Sequence, residues 1–466
     1  MLSEDIHGNE LYISEKLGFG INFDVVLRKF KVLGTDVSMY TINGLIDSLI
    51  VSDLLENLLK INEDYESKGS SRLLEIFENK LVHMQVEKTT EMDKLVLNVM
   101  SGCMVILVNG YTEGIIIDTR SYPSRTPEES QNEPTVRGSN DGFVENIIVN
   151  TALVRRRIKH PKLRYEMLKV GEISQLDVVL CYLDNKADKE VLNEIKYKLS
   201  NTTVKEFTMG NQALQEVLFP KKINPLPYSK ITERPDVFAA ELTKGYIGIL
   251  TDNSPNGLIV PINLIDMLGN IEHHQISPYT ATLFKIVNLT LILIVLIVIP
   301  YWYYLAMNPE AIPKSVEYLK IPEEYKVPVL AQILFIMTCF MTISIALFTT
   351  PKIHRTALIL ATTIVISGAG IESKLLAPSI VLSVLIAYLF AKTMFVNELH
   401  YAFLSFTIVQ IISIYFFGLY GLLGTLMILF LFLATRKAFG RHYLYPLIPL
   451  NIKKLVNYIF RFRKSN

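Results

Sequence analysis

Hydrophobic and polar residues are distributed unevenly along this chain of 466 residues. Over roughly the first 280 residues, hydrophobic and polar residues alternate with the short periods that are typical of the helices and strands of globular proteins. Between Leu283 and Ala434 the sequence is dominated by Leu, Ile, Val, Phe and Tyr. The pattern predicts a soluble α/β N-terminal region, followed by an all-α polytopic membrane domain of about six helices, with five as the alternative.

The apolar region divides into segments of the size that crosses a bilayer, which takes about 20 residues of helix. They cover residues 286–306, 328–348, 356–371, 378–396 and 401–435. The last segment holds no formal charge over 35 residues, and as one helix it would exceed a single crossing. Gly418, Gly421 and Gly424 lie near its middle and predict a tight hairpin or a broken helix there.

Basic residues indicate the orientation of these segments, because Lys and Arg near the ends of spans favour the cytoplasm. They follow the second segment, at Lys352 and Arg355, and recur in the tail after Thr435, which contains no acid. Six spans with both termini in the cytoplasm satisfy both biases. We therefore expect the N-terminal lobes to be cytoplasmic.

The soluble region contains a gapless internal repeat, in which residues 92–119 align with residues 235–262 at an offset of 143. The paired residues are Asp93 with Asp236, Gly102 with Gly245, and Gly114 with Gly257. Each copy predicts a helix, a buried strand and a second apolar strand, so we expect two related lobes. The predicted domains are lobe 1 (1–120), a Pro- and Ser-rich linker (121–142), lobe 2 (143–280), a transmembrane helical domain (281–436) and a basic cytoplasmic tail (437–466).

Periodicity predicts further elements around the repeat. They are a strand pair over Lys31–Ile42, a helix over Leu45–Lys60, a buried strand over Val178–Leu183 and a helix over Lys189–Leu199. Both lobes are therefore predicted to be mixed α/β.

Charge and motifs exclude several classes of function. The formal net charge of +1 argues against a nucleic-acid binder. Cys103, Cys181 and Cys339 lie far apart without CxxC spacing, which predicts reduced thiols rather than a disulfide framework or a zinc site. No phosphate-binding, dinucleotide-binding, zinc-protease or nucleophile-elbow motif is present. We expect a non-enzyme with no catalytic residue, no cofactor and no metal.

The segment from Arg137 to Ile158 is dense in charged and amide residues. We expect Asp141 or Gly142 to cap a helix that ends in three arginines. The candidate interface residues are Arg137, Gly138, Asp141, Gly142, Glu145, Asn146, Asn150, Arg155, Arg156 and Arg157. The arginines complement the helix dipole, which alone can explain them. The equally weighted alternative is that they dock the two lobes, a neighbouring subunit or anionic headgroups.

The third apolar segment is the most polar of the set, and polar residues within a bilayer are costly. The candidate pore-lining residues are Thr362, Thr363, Ser367, Gly368 and Glu372. Small and hydroxyl-bearing residues suit a pore lining, but they also serve tight helix packing, which is their commoner use. Weaker candidates are Gln332, Thr338, Thr342, Gln410 and Ser413.

Three stretches resemble the GerA-type spore germination receptor A subunit family. They are EPTVRGSNDGFVENIIVNTALVRRRIKHPKLRYEMLKVG (133–171), ITERPDV (231–237) and YPLIPLN (445–451). The sequence DGFVENIIVNTALVRRRI, with RSYPSR before it, is most similar to the stage V sporulation branch of that family. The resemblance covers nearly the whole chain.

The resemblance implies a multi-pass protein of the endospore inner membrane that acts in germination. It also implies a homo-oligomeric ring-like ion channel whose two N-terminal lobes form a cytoplasmic vestibule. The implied partners are receptor B and C subunits or, for the stage V branch, another small membrane companion. That branch is associated with the release of calcium dipicolinate.

Three functional hypotheses follow. The first is an oligomeric channel that passes monovalent cations and promotes germination. The second is a non-conducting scaffold or signalling subunit that couples germinant receptors to the dipicolinate release machinery. The third is a secondary transporter, for which Glu372 and the glycine break near residue 421 are the supporting features.

Overall fold

A computed structural model describes most of the chain. The described residues are 1–64, 73, 76–77, 85–122, 139, 141–202, 204, 207, 210–220, 225–267, 277–314, 317, 320–322, 324–325, 327–349, 352–394 and 397–460. The chain divides into two compact units. The first holds Met1–Lys222 with Tyr228–Ile262, and the second holds Ile223–Pro227 with Asn263–Asn466.

The first unit contains two five-stranded antiparallel sheets, one in each predicted lobe. The elements of lobe 1 are α1 (Ile6–Leu17), β1 (Val25–Val32), β2 (Thr35–Ile42), α2 (Ser48–Asp64), β3 (Val86–Thr89), α3 (Met92–Met100), β4 (Met104–Val108) and β5 (Gly114–Ile117). Those of lobe 2 are α4 (Ile147–Arg157), β6 (Leu163–Val170), β7 (Leu176–Leu183), α5 (Lys189–Ser200), α6 (Asn211–Leu218), β8 (Lys230–Thr232), α7 (Pro235–Lys244), β9 (Ile247–Thr251) and β10 (Gly257–Val260).

The two sheets have the same topology. The strand order is β1-β2-β4-β5-β3 in lobe 1 and β6-β7-β9-β10-β8 in lobe 2. The aligned segments fold as α3-β4-β5 and α7-β9-β10, which confirms the predicted helix–strand–strand unit. The N-terminal α/β region is therefore built from a duplicated motif.

The paired glycines of the repeat have matching structural roles. Gly102 and Gly245 follow the two helices with φ values of +92° and +100°, a backbone conformation that favours glycine. A Cβ atom on Gly114 would lie 2.8 Å from Leu95, and one on Gly257 would lie 2.7 Å from Phe238, the residue in the position of Leu95. Each glycine thus lets the helix pack directly on its sheet.

The core of lobe 1 lies on both faces of its sheet. Along β4, Val105 and Leu107 belong to a cluster that includes Ile13 and Leu95 of α1 and α3. The alternate residues of the strand, Met104, Ile106 and Val108, pack in a second cluster with Leu54 and Leu58 of α2. Because side chains alternate across a strand, a strand covered on both faces reads as one continuous apolar run.

Two predicted boundaries are wrong. The strand pair begins at Val25 rather than at Lys31, because β1 is an edge strand whose exposed positions are mostly charged. The helix before the three arginines is not capped by Asp141 or Gly142. It begins at Ile147, and Asn146 is its N-cap.

The second unit is helical. Its helices are α8 (Leu264–Met267), α9 (Pro278–Met307), α10 (Val329–Thr349), α11 (Lys352–Glu372), α12 (Pro378–Met394), α13 (Asn397–Thr435) and α14 (Ile452–Ile459), and the short strands β11 (Lys437–Ala438) and β12 (Arg441–His442) pair before α14. Among the described residues, three segments are long and apolar enough to cross a membrane, namely Pro278–Met307, Val329–Ala346 and Leu399–Thr435. Leu360–Glu372 and Pro378–Phe390 are shorter apolar helices.

The long apolar segment α13 is a hairpin of two helical arms. Gly418 has non-helical backbone angles, φ 56° and ψ −134°. The rings of Phe406 and Phe432 lie with centroids 5.7 Å apart, whereas 26 residues of straight helix would separate them by about 39 Å. A side chain on Gly421 would collide with the backbone of Ser413. The glycine-rich middle of the segment therefore reverses the chain.

Pro300 interrupts the backbone hydrogen bonds of α9. Residues Ile294–Val298 just before it form a π-helical turn. Proline has no N–H to donate to the carbonyl four residues earlier, which is that of Leu296. The side chain of Gln410 from α13 donates to this carbonyl at 3.1 Å. A neighbouring helix thus satisfies the backbone group that the proline leaves without its usual donor.

Candidate functional sites

Helix α4 lies in the segment from Arg137 to Ile158, which is dense in charged and amide residues. The side chain of Asn146 accepts hydrogen bonds from the backbone N–H groups of Ile148 and Val149 and so caps the helix. Asn150 is buried and exchanges two hydrogen bonds with the backbone of Val144. These two amides fix where the helix begins and hold the preceding chain against it.

Arg155 is fully buried and joins the two lobes. Its Nε donates to Oδ2 of Asp24 at 2.6 Å, and its Nη2 donates to Oδ1 at 3.0 Å. The guanidinium also lies over the ring of Tyr165, 4.3 Å from the centroid. Burial raises the pKa of the Asp24 carboxyl even though Arg155 acts to lower it. The charge of Asp24 in this dry site therefore depends on its arginine partner.

Backbone contacts surround this ion pair. Asn22 of lobe 1 donates through Nδ2 to the carbonyl of Leu163 at 3.2 Å and accepts from the N–H of Tyr165 at 2.6 Å. Gly44 has a φ of +85°, and a Cβ there would lie 2.9 Å from Ile148 of α4. We refer to Asn22, Asp24, Gly44, Arg155 and Tyr165 as the interlobe junction.

The other candidate residues of the segment have local roles. Arg156 is exposed and stacks over Tyr122, 4.9 Å from the ring centroid. Arg157 binds Asp141 at 2.6 Å. Gly142 is buried, whereas Glu145 is exposed and its carbonyl accepts from the N–H of Asn253. Arg137 and Gly138 lie outside the described residues.

The interlobe junction contains residues that the sequence analysis missed. Asn22 and Asp24 lie in an irregular segment before β1, where no motif marks them. A signal for the buried charge was nevertheless present. Arg155 lies three residues after Ala152 and seven after Ile148, on the apolar face of α4, and an arginine there requires a carboxylate partner.

The candidate pore residues of α11 lie on different faces of one continuous helix. Nine residues of helix make two and a half turns, so Thr363 and Glu372 point in opposite directions. The stripe with Thr363, Ser367 and Gly370 is half-buried against the rest of the chain. At its end, a side chain on Gly370 would collide with the buried Leu376. Ser367 donates to the carbonyl of Thr363 at 2.7 Å. Thr362 is half-buried and lies between the two faces.

The opposite stripe of α11 is open in the single chain. It consists of Ala361, Val365, Gly368 and Glu372, all of them exposed. A Cβ on Gly368 would meet nothing within 4 Å. We call these four residues the outward stripe. The predicted cluster of threonines and serine above Glu372 therefore does not form on one face, and only Gly368 and Glu372 of the five candidates share this stripe.

The weaker membrane candidates bond within the unit. Gln332 donates to the carbonyl of Val327 at 2.7 Å and accepts from the N–H of Ala377 at 2.8 Å. The hydroxyls of Thr338 and Thr342 donate to carbonyls of their own helix. The carbonyl of Ser413 lies against Gly421 in the α13 hairpin.

The three cysteines are free. Cys103 and Cys181 are buried in the first unit, and Cys339 of α10 is half-buried. Within the described ranges, no group of three or more His, Cys, Asp or Glu side chains is placed to hold a metal ion.

Comparisons with known proteins give this architecture a family. Residues 12–466 match the Bacillus/Clostridium GerA spore germination protein family. Stage V sporulation protein AF of Bacillus subtilis is 33% identical over 456 residues, which cover 98% of this chain and 92% of that protein. Spore germination protein A1 of the same species is 25% identical, over 99% of this chain and 95% of that protein.

One solved structure is similar to part of the chain. It is the crystal structure of the N-terminal domain of the A subunit of the Bacillus megaterium spore germinant receptor GerK3. It is 29% identical and covers 55% of this chain and 95% of that domain, with a TM-score of 0.44. The family match extends over both sheets and the apolar helices. The chain belongs to the GerA spore germination protein family, and it is a membrane protein of that family.

Proposed function

We propose that copies of this protein assemble into an ion channel of the endospore inner membrane, which passes monovalent cations and promotes germination together with the release of dipicolinate. We also propose that this protein is not an enzyme. The observation that carries this proposal is the outward stripe of α11, which is open in the single chain and holds Gly368 and Glu372.

Glu372 is the last residue of α11, and its carboxylate must keep contact with water or polar groups, because a charge is costly against hydrocarbon. Leu360 and Ile364 of the same helix are 57% and 66% exposed and suit lipid contact. The adjacent outward stripe combines the small residues Ala361 and Gly368 with Val365 and ends in Glu372. We propose that it faces a water-filled axis shared between copies. One helix can thus face lipid and water at once if several chains surround that axis.

Six crossings agree with contacts inside the second unit. The N–H of Leu264, which precedes the first apolar helix, donates to the carbonyl of Tyr443 in the tail at 2.9 Å. Lys285 near the start of α9 donates to the carbonyl of Tyr458. Since the tail meets the beginning of the first crossing, both belong to the same side, which requires an even number of crossings. The hairpin at Gly418 supplies the sixth.

Contacts between two connecting segments support the same arrangement. Lys374, after α11, pairs with Glu324, before α10, at 2.7 Å. Six crossings put both connections on the outer side. The basic residues Lys352 and Arg355 and the tail then lie on the cytoplasmic side, as do the N-terminal lobes. We propose that other germination proteins, such as receptor B and C subunits or a small membrane companion, bind this assembly.

Cysteine accessibility along α11 tests the proposal. In a Cys339→Ala background, Gly368→Cys and Glu372→Cys are compared with Thr363→Cys and Ser367→Cys as matched controls from the inward side. Potassium efflux from proteoliposomes is measured before and after a charged, water-soluble thiol reagent is added. We expect the reagent to lower efflux severalfold at positions 368 and 372 and to leave the controls unchanged.

Two results would contradict the proposal. Equal reaction on both sides of the helix would show that the lining face is wrong. Oligomeric protein that carries no current under any trigger would favour the non-conducting scaffold instead.

A further inference from the structure

The tail after the last apolar helix exposes several large apolar side chains. Ile452 and Val456 of α14 are 66% and 37% exposed. Leu447 and Leu450 before the helix are 43% and 65% exposed. We call these four residues the tail surface. So many large apolar side chains in one short segment indicate a surface that something covers.

Helix α14 is amphipathic. Ile452, Leu455 and Val456 recur at the spacing that places residues on one helical face. Lys453 is exposed and borders that face. Lys454 is exposed on the opposite face, with its ammonium 5.0 Å from the centroid of the Tyr445 ring. The side chain of Asn451 accepts from the N–H of Lys454 at 3.0 Å and caps the helix. An apolar face opposite a polar face that carries lysines is typical of helices that lie in a membrane interface.

The tail is fixed at the beginning of the first membrane helix. Lys285 of α9 donates to the carbonyl of Tyr458, and its ammonium lies 4.6 Å from the centroid of the Tyr458 ring. Tyr443, earlier in the tail, is 1% exposed and bonds through its carbonyl to Leu264. Helix α14 is therefore attached beside the first two turns of α9, where the chain enters the apolar region.

We propose that the tail surface lies in the plane of the membrane interface, with its apolar side chains among the acyl chains and Lys453 and Lys454 on anionic phospholipid headgroups. Two observations favour lipid over a second copy of the chain. The surface is continuous with a helix that crosses the bilayer, and its lysines complement anionic headgroups. This anchoring role is independent of whether the protein conducts ions.

Tryptophan fluorescence in lipid nanodiscs tests the proposal on the full chain. Trp302 is the single tryptophan, so Trp302→Phe removes the background. Val456→Trp and, separately, Ile452→Trp then report on the tail surface. Tyr197→Trp serves as the water-exposed control, because Tyr197 is 69% exposed in the first unit. The quenchers are phospholipids brominated on the acyl chains, with phosphatidylglycerol or phosphatidylcholine headgroups, and acrylamide in water.

We expect the brominated lipids to quench tryptophan at positions 452 and 456, while acrylamide quenches mainly the control at position 197. Quenching should be stronger with brominated phosphatidylglycerol than with phosphatidylcholine. Lys453→Gln with Lys454→Gln should reduce that preference by roughly fivefold for each lysine.

Three outcomes would overturn the proposal. Tryptophans at 452 and 456 that acrylamide quenches and lipid does not would place the helix in water. Tryptophans at 452 and 456 that neither quencher reaches would show that protein, such as a second copy of the chain, covers the helix. Equal quenching by the two lipids would remove the headgroup recognition.

Discussion

At the scale of single residues, Arg155 shows how a buried charge organises the first unit. Its two hydrogen bonds to Asp24 satisfy a carboxylate that burial would otherwise protonate. The partners come from different lobes, so the bond forms only when the lobes are docked. The helix dipole alone explains why a cation lies at this end of α4. It does not explain why Arg155 is fully buried or why it makes two hydrogen bonds to one carboxylate.

Replacement of Arg155 should therefore be strongly destabilising. Arg155→Met leaves Asp24 buried without its partner, and we expect a loss of about 3–5 kcal/mol in the free energy of unfolding. The measurement is denaturant or thermal unfolding of the detergent-purified chain. Arg156→Met, at the exposed neighbouring position, should change stability by no more than about 0.5 kcal/mol.

A second variant isolates the cause. Arg155→Met combined with Asp24→Asn removes both charges, so it should recover a substantial part of the lost stability. If the single variant and the Arg156 control unfolded alike, the ion pair would not hold the lobes together.

Gln410 gives a residue-scale prediction in the membrane unit. Gln410→Leu removes the donor to the Leu296 carbonyl, which Pro300 cannot serve. We expect a loss of about 0.6 kcal/mol, the average for such bonds in a membrane protein, and no more than about 1.7 kcal/mol, measured as thermal stability in detergent. Thr338→Val is the control, because that exposed hydroxyl bonds only within its own helix. An unchanged melting temperature for Gln410→Leu would mean that another group satisfies the carbonyl.

At the scale of elements, the duplicated unit was predictable because its strands are buried on both faces and its glycines recur at one spacing. Strands β1 and β6 were harder to predict. Each lies at the edge of its sheet, with exposed charged residues such as Lys31 and Lys169 between its apolar ones. The cap of α4 was expected at Asp141 or Gly142, which lie several residues too early. The carboxylate of Asp141 pairs with Arg157 instead, and Asn146 caps the helix.

The α13 hairpin makes a prediction of its own. With Phe406→Cys and Phe432→Cys in a Cys339→Ala background, a short bifunctional maleimide should link the two positions in one chain, because their rings are in contact. The readout is the peptide mass after proteolysis. Phe406→Cys with Phe417→Cys is the control, since these positions are about 16 Å apart along one arm. Failure of the 406–432 link, although both cysteines react with a monofunctional maleimide, would favour a straight helix.

At the scale of the whole molecule, the division into soluble and apolar parts follows from composition, and the family was recognisable from short segments. The face of α11 that we propose to line a pore was not predictable from composition. The polar residues Thr362, Thr363 and Ser367 are the obvious candidates in the sequence. In the structure, Thr363 and Ser367 lie on the half-buried side of the helix, the side that contacts Leu376 at Gly370. The open face includes the small residues Ala361 and Gly368, whose importance appears only when their surroundings are known.

The central claim is that several copies surround a water-filled axis with their outward stripes. The reversal potential of channels in planar bilayers under a potassium chloride gradient tests it most directly, for wild type, Glu372→Gln, Glu372→Lys and the inward control Thr363→Val. The account predicts a wild-type potential near the potassium equilibrium value, a reduced one for Glu372→Gln, a shift toward the chloride value for Glu372→Lys, and no shift for Thr363→Val. A reversal potential that is the same in all four proteins, or an assembly that never conducts, would contradict it.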